Sequence, residues 1–157
     1  MKAFWSRTIT VRKVDNAIEA EKLLPLQVLR RLCSDPSLSN VRQCDVYLSQ
    51  IIVALEGDST LGFAAYKPTA GPIRVAHEFW VDPQARGGQA PVTQALLTAL
   101  EGTACAAGCS HLFVVVAQSA PLRRILEQSG YSVNLAGVER TWFEKRLVCK
   151  ADPLESA

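Results

Sequence analysis

The sequence has no strong excess of charge of either sign and no hydrophobic run long enough to cross a bilayer. It carries 17 lysines and arginines against 15 acidic residues, a formal net charge of +2. So close a balance gives no electrostatic reason for a nucleic-acid or acidic-membrane partner. No apolar stretch reaches the length of about 20 residues that a transmembrane helix needs. We therefore expect neither nucleic acid nor membrane among the partners.

Internal repeats, linkers and low-complexity blocks are also missing, which favours one folded domain over residues 1–157 with a frayed tail from 150. A chain of 157 residues can bury a sizeable core, and 48% of its residues are hydrophobic. The N-terminal residues lack the apolar run of a secretory signal peptide. The tryptophans, Trp5, Trp80 and Trp142, are too scattered to form a stacking platform for bases.

The cysteines show no disulfide-like spacing. There are five, an odd number, so we expect them to be reduced and the protein to be cytoplasmic. Cys105 and Cys109 lie one helical turn apart with His111 nearby, but these are fewer ligands than a closed metal site uses. Small buried cysteines are the preferred interpretation, and we expect no metal.

Apolar periodicity and turn residues predict alternating strands and helices. Strands are predicted over Thr8–Val14, Ile51–Leu55, Leu61–Lys67, Ile73–Val81, Leu112–Ala117, Tyr131–Leu135 and Arg140–Val148. Two helices are predicted within 15–33, a third from Pro91 and a fourth from Ser119, while 41–50 is ambiguous between helix and strand. The order β-α-α-β-β-β-α-β-α-β-β predicts an α/β or α+β fold with a mixed sheet flanked by helices.

The stretch Ile73–Leu100 is predicted to form a strand, a glycine-containing loop and a helix. A strand rich in β-branched and aromatic residues ends at Asp82-Pro83, a basic loop with Gly87 and Gly88 follows, and Pro91 suits the first turn of the next helix. A glycine loop leading into a helix N-terminus offers free backbone N–H groups and the positive end of the helix dipole. This arrangement predicts an anion site, most often one for phosphate.

The segment Val81-Asp82-Pro83-Gln84-Ala85-Arg86-Gly87 resembles the V-x-P-x-x-R-G segment of the GNAT superfamily of N-acetyltransferases. Downstream, Leu112–Ala117 and then Ser119–Tyr131 resemble the strand, the helix and the closing Gly-Tyr of that family. The two matches cover roughly half of the chain in the family's order. The resemblance implies a GNAT-like sheet in which the Val75–Val81 and Leu112–Val116 strands are parallel neighbours that separate near their C-terminal ends.

The resemblance also implies acetyl-CoA as the cofactor, held by the glycine loop and the start of the following helices. The residues that it assigns to cofactor binding are Val81, Arg86, Gly87, Gly88, Gln89, Ala90, Ser119 and Arg123. The alternative is an ordinary glycine turn with a solvated arginine. The loop departs from the family pattern because Gln89 and Pro91 stand where small residues are usual, and Pro91 lacks an N–H donor.

Glu78 is the candidate base that deprotonates the acceptor amine, since many members of the family carry an acidic residue near this position. His77 is its neighbour and faces the other side of a regular strand, so only one of the pair can face a cleft. The alternative is that Glu78 is a structural residue in a salt bridge. The family's tyrosine acid corresponds to Leu126 here, so we expect the thiolate to leave without a positioned side-chain acid.

These residues predict an acetyl-CoA-dependent N-acetyltransferase whose acceptor is an amine of a small molecule or of a protein. Because the loop and Leu126 depart from the family pattern, an alternative is an eroded GNAT-fold protein that binds a partner protein, as some phage-encoded members look eroded. A homodimer is also left open. If both motifs arise by chance, the chain is an unrelated α/β binding domain.

Overall fold

The computed structural model describes residues 8–14, 51–66, 71–85, 87–117, 120–137 and 140–149. Seven strands form one mixed sheet: β1 (Thr10–Lys13), β2 (Ile51–Glu56), β3 (Ser59–Tyr66), β4 (Ile73–Val81), β5 (His111–Ala117), β6 (Ser132–Ala136) and β7 (Arg140–Arg146). Two helices are described, α1 (Gln89–Ala106) and α2 (Ala120–Gln128). No helix in these ranges is long and apolar enough to cross a membrane.

The sheet order is β1-β2-β3-β4-β5-β7-β6. Only β4 and β5 are parallel among the described pairs, and the connection between them is α1. The last two strands do not follow chain order in the sheet, because β7 lies between β5 and β6 and pairs with both. This order confirms the predicted mixed sheet and the order of elements after residue 50. The helices predicted within 15–33 and the ambiguous segment 41–50 lie outside the described residues.

Both described helices cover the same face of the sheet. Fully buried leucines of α1 (Leu96 and Leu100) and α2 (Leu126) share one cluster with Leu112 and Phe143 of the strands. Burying such a side chain stabilises the fold by roughly 1.5–3 kcal/mol. The cluster fixes α1 and α2 against the sheet, and because each helix follows one of the two parallel strands, their N-terminal ends lie at the same end of the sheet.

Gly62 in β3 allows α1 to approach the sheet closely. A Cβ atom at this position would lie 2.7 Å from the Trp80 carbonyl oxygen and 3.2 Å from side-chain carbons of Leu96 and Val92. The first distance is a backbone clash that a rotamer change cannot relieve. Glycine is therefore required at the point where the first turns of α1 pack over β3 and β4.

The expectation that all the cysteines are reduced is wrong. Cys105, in the last turn of α1, forms a disulfide with Cys149, which follows β7 and lies 44 residues further along the chain. Cys109 is a free cysteine and is buried, as expected for a small core residue. The disulfide ties the C-terminal end of α1 to the segment that follows the last strand. Among the described residues, no group of His, Cys, Asp or Glu side chains could hold a metal ion.

Candidate functional site

A gap opens between the two parallel strands at the centre of the sheet. The pairing runs from Ile73 opposite His111 to Ala76 opposite Val114 and then stops. Beyond this point β4 remains paired with β3 up to Val81, and β5 remains paired with β7 up to Ala117. The predicted separation of the two strands near their C-terminal ends is therefore confirmed. The gap lies between residues 77–81 of β4 and residues 115–117 of β5.

A β-bulge at His77 marks the beginning of the gap. Ala65 of β3 pairs with Glu78, whereas the next residue, Tyr66, pairs with Ala76, so His77 is an extra residue in β4. A bulge bends its strand and increases the local twist, which carries β4 away from β5. The sequence could not reveal this bulge, because the run Ile73–Val81 has no glycine or proline to mark it.

The hydrogen-bonding pattern of β4 directs backbone groups into the gap. The Asp82 N–H donates to the Leu61 carbonyl of β3 at 2.8 Å. Donor directions alternate along an antiparallel pair, so the N–H groups of Val81 and Phe79 point away from β3, toward the gap. The backbone of β4 thus offers hydrogen bonds along its open edge at the position where the sequence places Val81 in the candidate site.

The loop between β4 and α1 is tight. The Asp82 carboxylate accepts the Gln84 N–H at 2.9 Å, and the Ala85 carbonyl accepts the Gly88 N–H at 2.9 Å. Gly87 and Gly88 have φ values of 85° and 90°, a region that side-chain-bearing residues rarely adopt. The two glycines are therefore needed for the backbone path of this turn. Arg86, predicted to contact the cofactor, lies outside the described residues.

The N-terminus of α1 has no side-chain cap and no acidic residue in its first turn. Gly88 is the N-cap residue and its own N–H is already bonded, while Pro91 has no N–H. In the described part of the chain, the amides of Gln89 and Ala90 are therefore the first-turn donors for which no acceptor is seen. The side-chain amide of Gln89 folds back and donates to the Val81 carbonyl at 3.2 Å. This contact holds the start of α1 against the end of β4, beside the gap.

The Glu78 side chain lies at the gap in an ion pair. Its Oε1 is 3.1 Å from Nη2 of Arg140, and Nη1 of the same guanidinium donates to the His77 carbonyl at 3.3 Å. Arg140 is the first residue of β7 and pairs with Ala117 of β5, so its side chain spans the gap from the β5 side to β4. The predicted base thus forms an ion pair with an arginine to which the sequence patterns assign no role.

Trp80 lies on the same face of β4 as Glu78. Its ring stacks on Phe63 of β3 with centroids 5.9 Å apart. Phe79 and Val81 alternate with this pair and belong instead to the core beneath α1. The alternation therefore places Glu78 on the face of the sheet opposite α1. The N–H groups of Phe79 and Val81 lie in the plane of the sheet and point into the gap.

Helix α2 brings fewer functional side chains to the site than its sequence motif predicts. Ser119 lies outside the described residues. Arg123 is exposed and pairs with Glu127 one turn further along α2, with Nε and Oε1 3.6 Å apart. Leu126, at the position of the family's tyrosine, is 0% exposed and packs in the core. The structure therefore provides no hydroxyl group at that position.

Several solved structures share this fold. A GNAT-family protein from Desulfovibrio desulfuricans is 16% identical, with 90% of this chain and 100% of that chain covered and a TM-score of 0.62. An aminoglycoside 6'-acetyltransferase of type Ii is 16% identical over 90% and 99% of the two chains, with a TM-score of 0.64. The PaiA N-acetyltransferase of Thermoplasma acidophilum, solved with coenzyme A, is 14% identical over 88% and 99%, with a TM-score of 0.61.

No protein-family model and no curated protein matches the sequence. At identities of 14% to 16%, the solved structures establish the architecture and leave the chemistry open. The sheet order, the gap between β4 and β5 and the helix that follows β4 are present in the described part of this chain. The chain therefore has the fold of the GNAT acetyltransferases.

Proposed function

We propose that this protein is an acetyl-CoA-dependent N-acetyltransferase that acts on an amine of a small molecule or of a protein. The gap between β4 and β5 carries this proposal. The open edge of β4 can hydrogen-bond an extended chain such as the pantetheine arm, in the way that a sheet edge accepts an added strand. Similar structures include acetyltransferases, among them the PaiA N-acetyltransferase, which was solved with coenzyme A.

The residues at the loop fit a pyrophosphate group. The amides of Gln89 and Ala90 lie at the positive end of an 18-residue helix that has no acidic residue in its first turn. A Cβ atom at Gly88 would meet nothing within 4 Å, so an anion can approach the backbone there. Gly87 completes the turn, and Arg86, Ser119 and Arg123 are further sequence-based candidates for the phosphates.

Acetyl-CoA, when bound, supplies the acetyl group as an activated thioester. Val81 then offers its N–H, directed into the gap, as the donor for a carbonyl oxygen that gains negative charge. Glu78 takes a proton from the attacking amine, either directly or through a water molecule. Leu126 supplies no acid, so a departing thiolate would depend on solvent for its proton.

The alternative is a GNAT-fold protein that binds a partner protein or a second copy of itself. Two observations favour it: the aliphatic Leu126 at the acid position, and the exposed edge strand β6. Every residue of β6 is exposed, and Leu135 retains 61% of its accessible surface. Such an edge offers both unpaired backbone groups and apolar side chains to a partner.

A transfer assay separates the two functions. The protein is incubated with acetyl-CoA and a panel of amines, and free CoA and the acetylated products are quantified by chromatography and mass spectrometry. We expect product formation that requires both the amine and acetyl-CoA, and that falls in the Glu78→Gln variant. Binding of acetyl-CoA without transfer to any amine in the panel would favour the partner-binding alternative.

A further inference from the structure

The Glu78–Arg140 pair combines opposite charges at one place on the gap, and the two members differ in exposure. The Glu78 side chain is 12% exposed, whereas that of Arg140 is 37% exposed. The accessible part of the pair therefore belongs mainly to the arginine side chain. A molecule that enters from this face meets the arginine together with the carboxylate behind it.

The guanidinium has donors to spare. Nη2 makes a single contact with one carboxylate oxygen of Glu78, and Nη1 donates to the His77 carbonyl. These contacts use only part of the N–H donors that a guanidinium carries. The pairing is therefore not the bidentate arrangement that would occupy one whole side of the group. In the part of the chain that the structure describes, Arg140 can accept a second anion without releasing Glu78.

The pair is electrically neutral as a unit, which disfavours one class of acceptor. A polycationic amine gains from a cleft with unpaired carboxylates, but here the charge of Glu78 is balanced 3.1 Å away. A zwitterionic amine fits better, because its ammonium can approach Glu78 while its carboxylate contacts Arg140. The closeness of the two protein charges requires the two charges of the acceptor to be equally close.

We propose that Arg140 determines acceptor specificity and that the acceptor is an amine bearing a nearby carboxylate, such as an α-amino acid. This inference rests on the proposed acetyl transfer. Arg140 binds the carboxylate and thereby places the amine beside Glu78, at the gap. The amine nitrogen forms the new bond to the carbonyl carbon as the carbon–sulfur bond breaks. The amide and the CoA thiol form, a proton is released to solvent, and no redox partner is required.

The test compares each α-amino acid with its own amide, which lacks only the negative charge. A panel such as leucine with leucinamide and glutamate with its α-amide is assayed for kcat/KM, together with a diamine. We expect the wild-type protein to prefer the acids by about 10- to 100-fold, the range given by a hydrogen bond to a charged group. The preference is expected to disappear in Arg140→Gln and to be reduced in Arg140→Lys.

Arg146→Gln is the matched control, because Arg146 is an exposed arginine at the opposite end of the same strand. It is expected to keep the wild-type preference. Circular dichroism establishes that each variant folds, and Arg140→Lys keeps the positive charge beside Glu78 if Arg140→Gln does not fold. Transfer without discrimination between acid and amide, or discrimination that survives in both Arg140 variants, overturns the inference and leaves the acetyl transfer intact.

Absence of transfer to every amine overturns the proposed function, and a binding measurement then decides the role of Arg140 separately. N-acetylleucine and its amide are titrated into protein saturated with CoA. Binding of the acid alone, lost in Arg140→Gln and kept in Arg146→Gln, supports anion recognition by Arg140. Equal binding of acid and amide, or no binding of either, overturns it.

Discussion

The two ends of strand β7 each place a cation on a glutamate of another element, but the two ion pairs are built differently. Near the end of the strand, Nζ of Lys145 contacts both oxygens of Glu101 on α1, at 3.2 and 3.1 Å. The Tyr131 hydroxyl donates to the same carboxylate at 2.7 Å, and the ammonium lies 5.4 Å from the Tyr131 ring centroid. Both oxygens of Glu101 are thus engaged by the protein itself.

At the start of β7, Arg140 instead makes one contact with one oxygen of Glu78. The first pair lies over the helix-covered face of the sheet and ties α1 to β7. The second pair lies where β4 and β5 have separated and no described strand fills the space. We therefore propose that the Lys145 end of the strand stabilises the fold, whereas the Arg140 guanidinium, with N–H donors beyond its contacts to Glu78 and His77, is available for chemistry.

The largest expected effect is on turnover. Glu78→Gln removes the proposed base and is expected to lower kcat by roughly 10²–10⁴-fold, the usual contribution of general acid–base catalysis. Glu101→Gln is the matched change at the other end of β7 and is expected to leave kcat close to that of the wild type while lowering stability. Steady-state kinetics on both variants, with folding checked by circular dichroism, makes the comparison. Equal losses of kcat would remove the distinction between the two pairs.

The next effect is on stability. Tyr131→Phe removes the hydroxyl that donates to Glu101, and hydrogen bonds to charged groups contribute roughly 1.5–3 kcal/mol. We expect the free energy of unfolding, measured with urea, to fall by about this amount, with acetyl transfer unchanged. A loss of activity with unchanged stability would assign Tyr131 to the site instead.

The pH dependence of stability sharpens this prediction. Burial raises the pKa of Tyr131 above its ordinary value of 10.0, and its hydrogen bond to Glu101 and the charge of that carboxylate raise it further. The folded state therefore retains the phenol proton at a pH where the unfolded chain releases it. The stabilisation is complete below about pH 10 and is lost as pH rises, with a slope of up to about 1.4 kcal/mol per pH unit.

Tyr131→Phe cannot lose this proton, so its stability is expected to fall less steeply above pH 10. Urea unfolding of wild type and variant between pH 8 and pH 11 measures the difference between their slopes, in which the titration of other groups cancels. Parallel curves would show that Tyr131 contributes nothing to the loss.

The smallest effect is expected for Lys145→Gln. The side chains of Lys145 and Glu101 are 29% and 26% exposed, and ion pairs near the surface contribute at most about 1 kcal/mol. We expect a decrease in the free energy of unfolding no larger than this, and a smaller difference from wild type at high salt. A decrease as large as that of Tyr131→Phe would make the ion pair, rather than the tyrosine hydroxyl, the main contributor.

The sequence predicts the strands and the gap better than it predicts the side chains that line the gap. The limits of β4 are predicted as observed, because Asp82-Pro83 ends a nine-residue run rich in β-branched and aromatic residues. The separation from β5 is predicted only through the family resemblance. The position of Arg140 is not predicted, because it depends on the insertion of β7 between β5 and β6, which local sequence patterns do not encode.

The disulfide between Cys105 and Cys149 escapes prediction for a similar reason. The two cysteines are 44 residues apart, and only the packing of α1 near the end of β7 brings their Cα atoms to 5.5 Å. An odd number of cysteines without regular spacing gave no indication of this pair. Both misses concern β7, the last strand in the chain and the one whose neighbours depend most on tertiary packing.

Calorimetric titration with acetyl-CoA tests most directly the claim that the open end of the sheet is the functional one. We predict saturable one-to-one binding to the wild-type protein, with CoA as a competitor. Gly88→Val is expected to bind more weakly, because its backbone φ of 90° disfavours a β-branched residue and the side chain would block approach to the Gln89 and Ala90 amides. Tyr131→Phe is expected to bind as the wild type does. Absence of binding to the folded wild-type protein would contradict the claim.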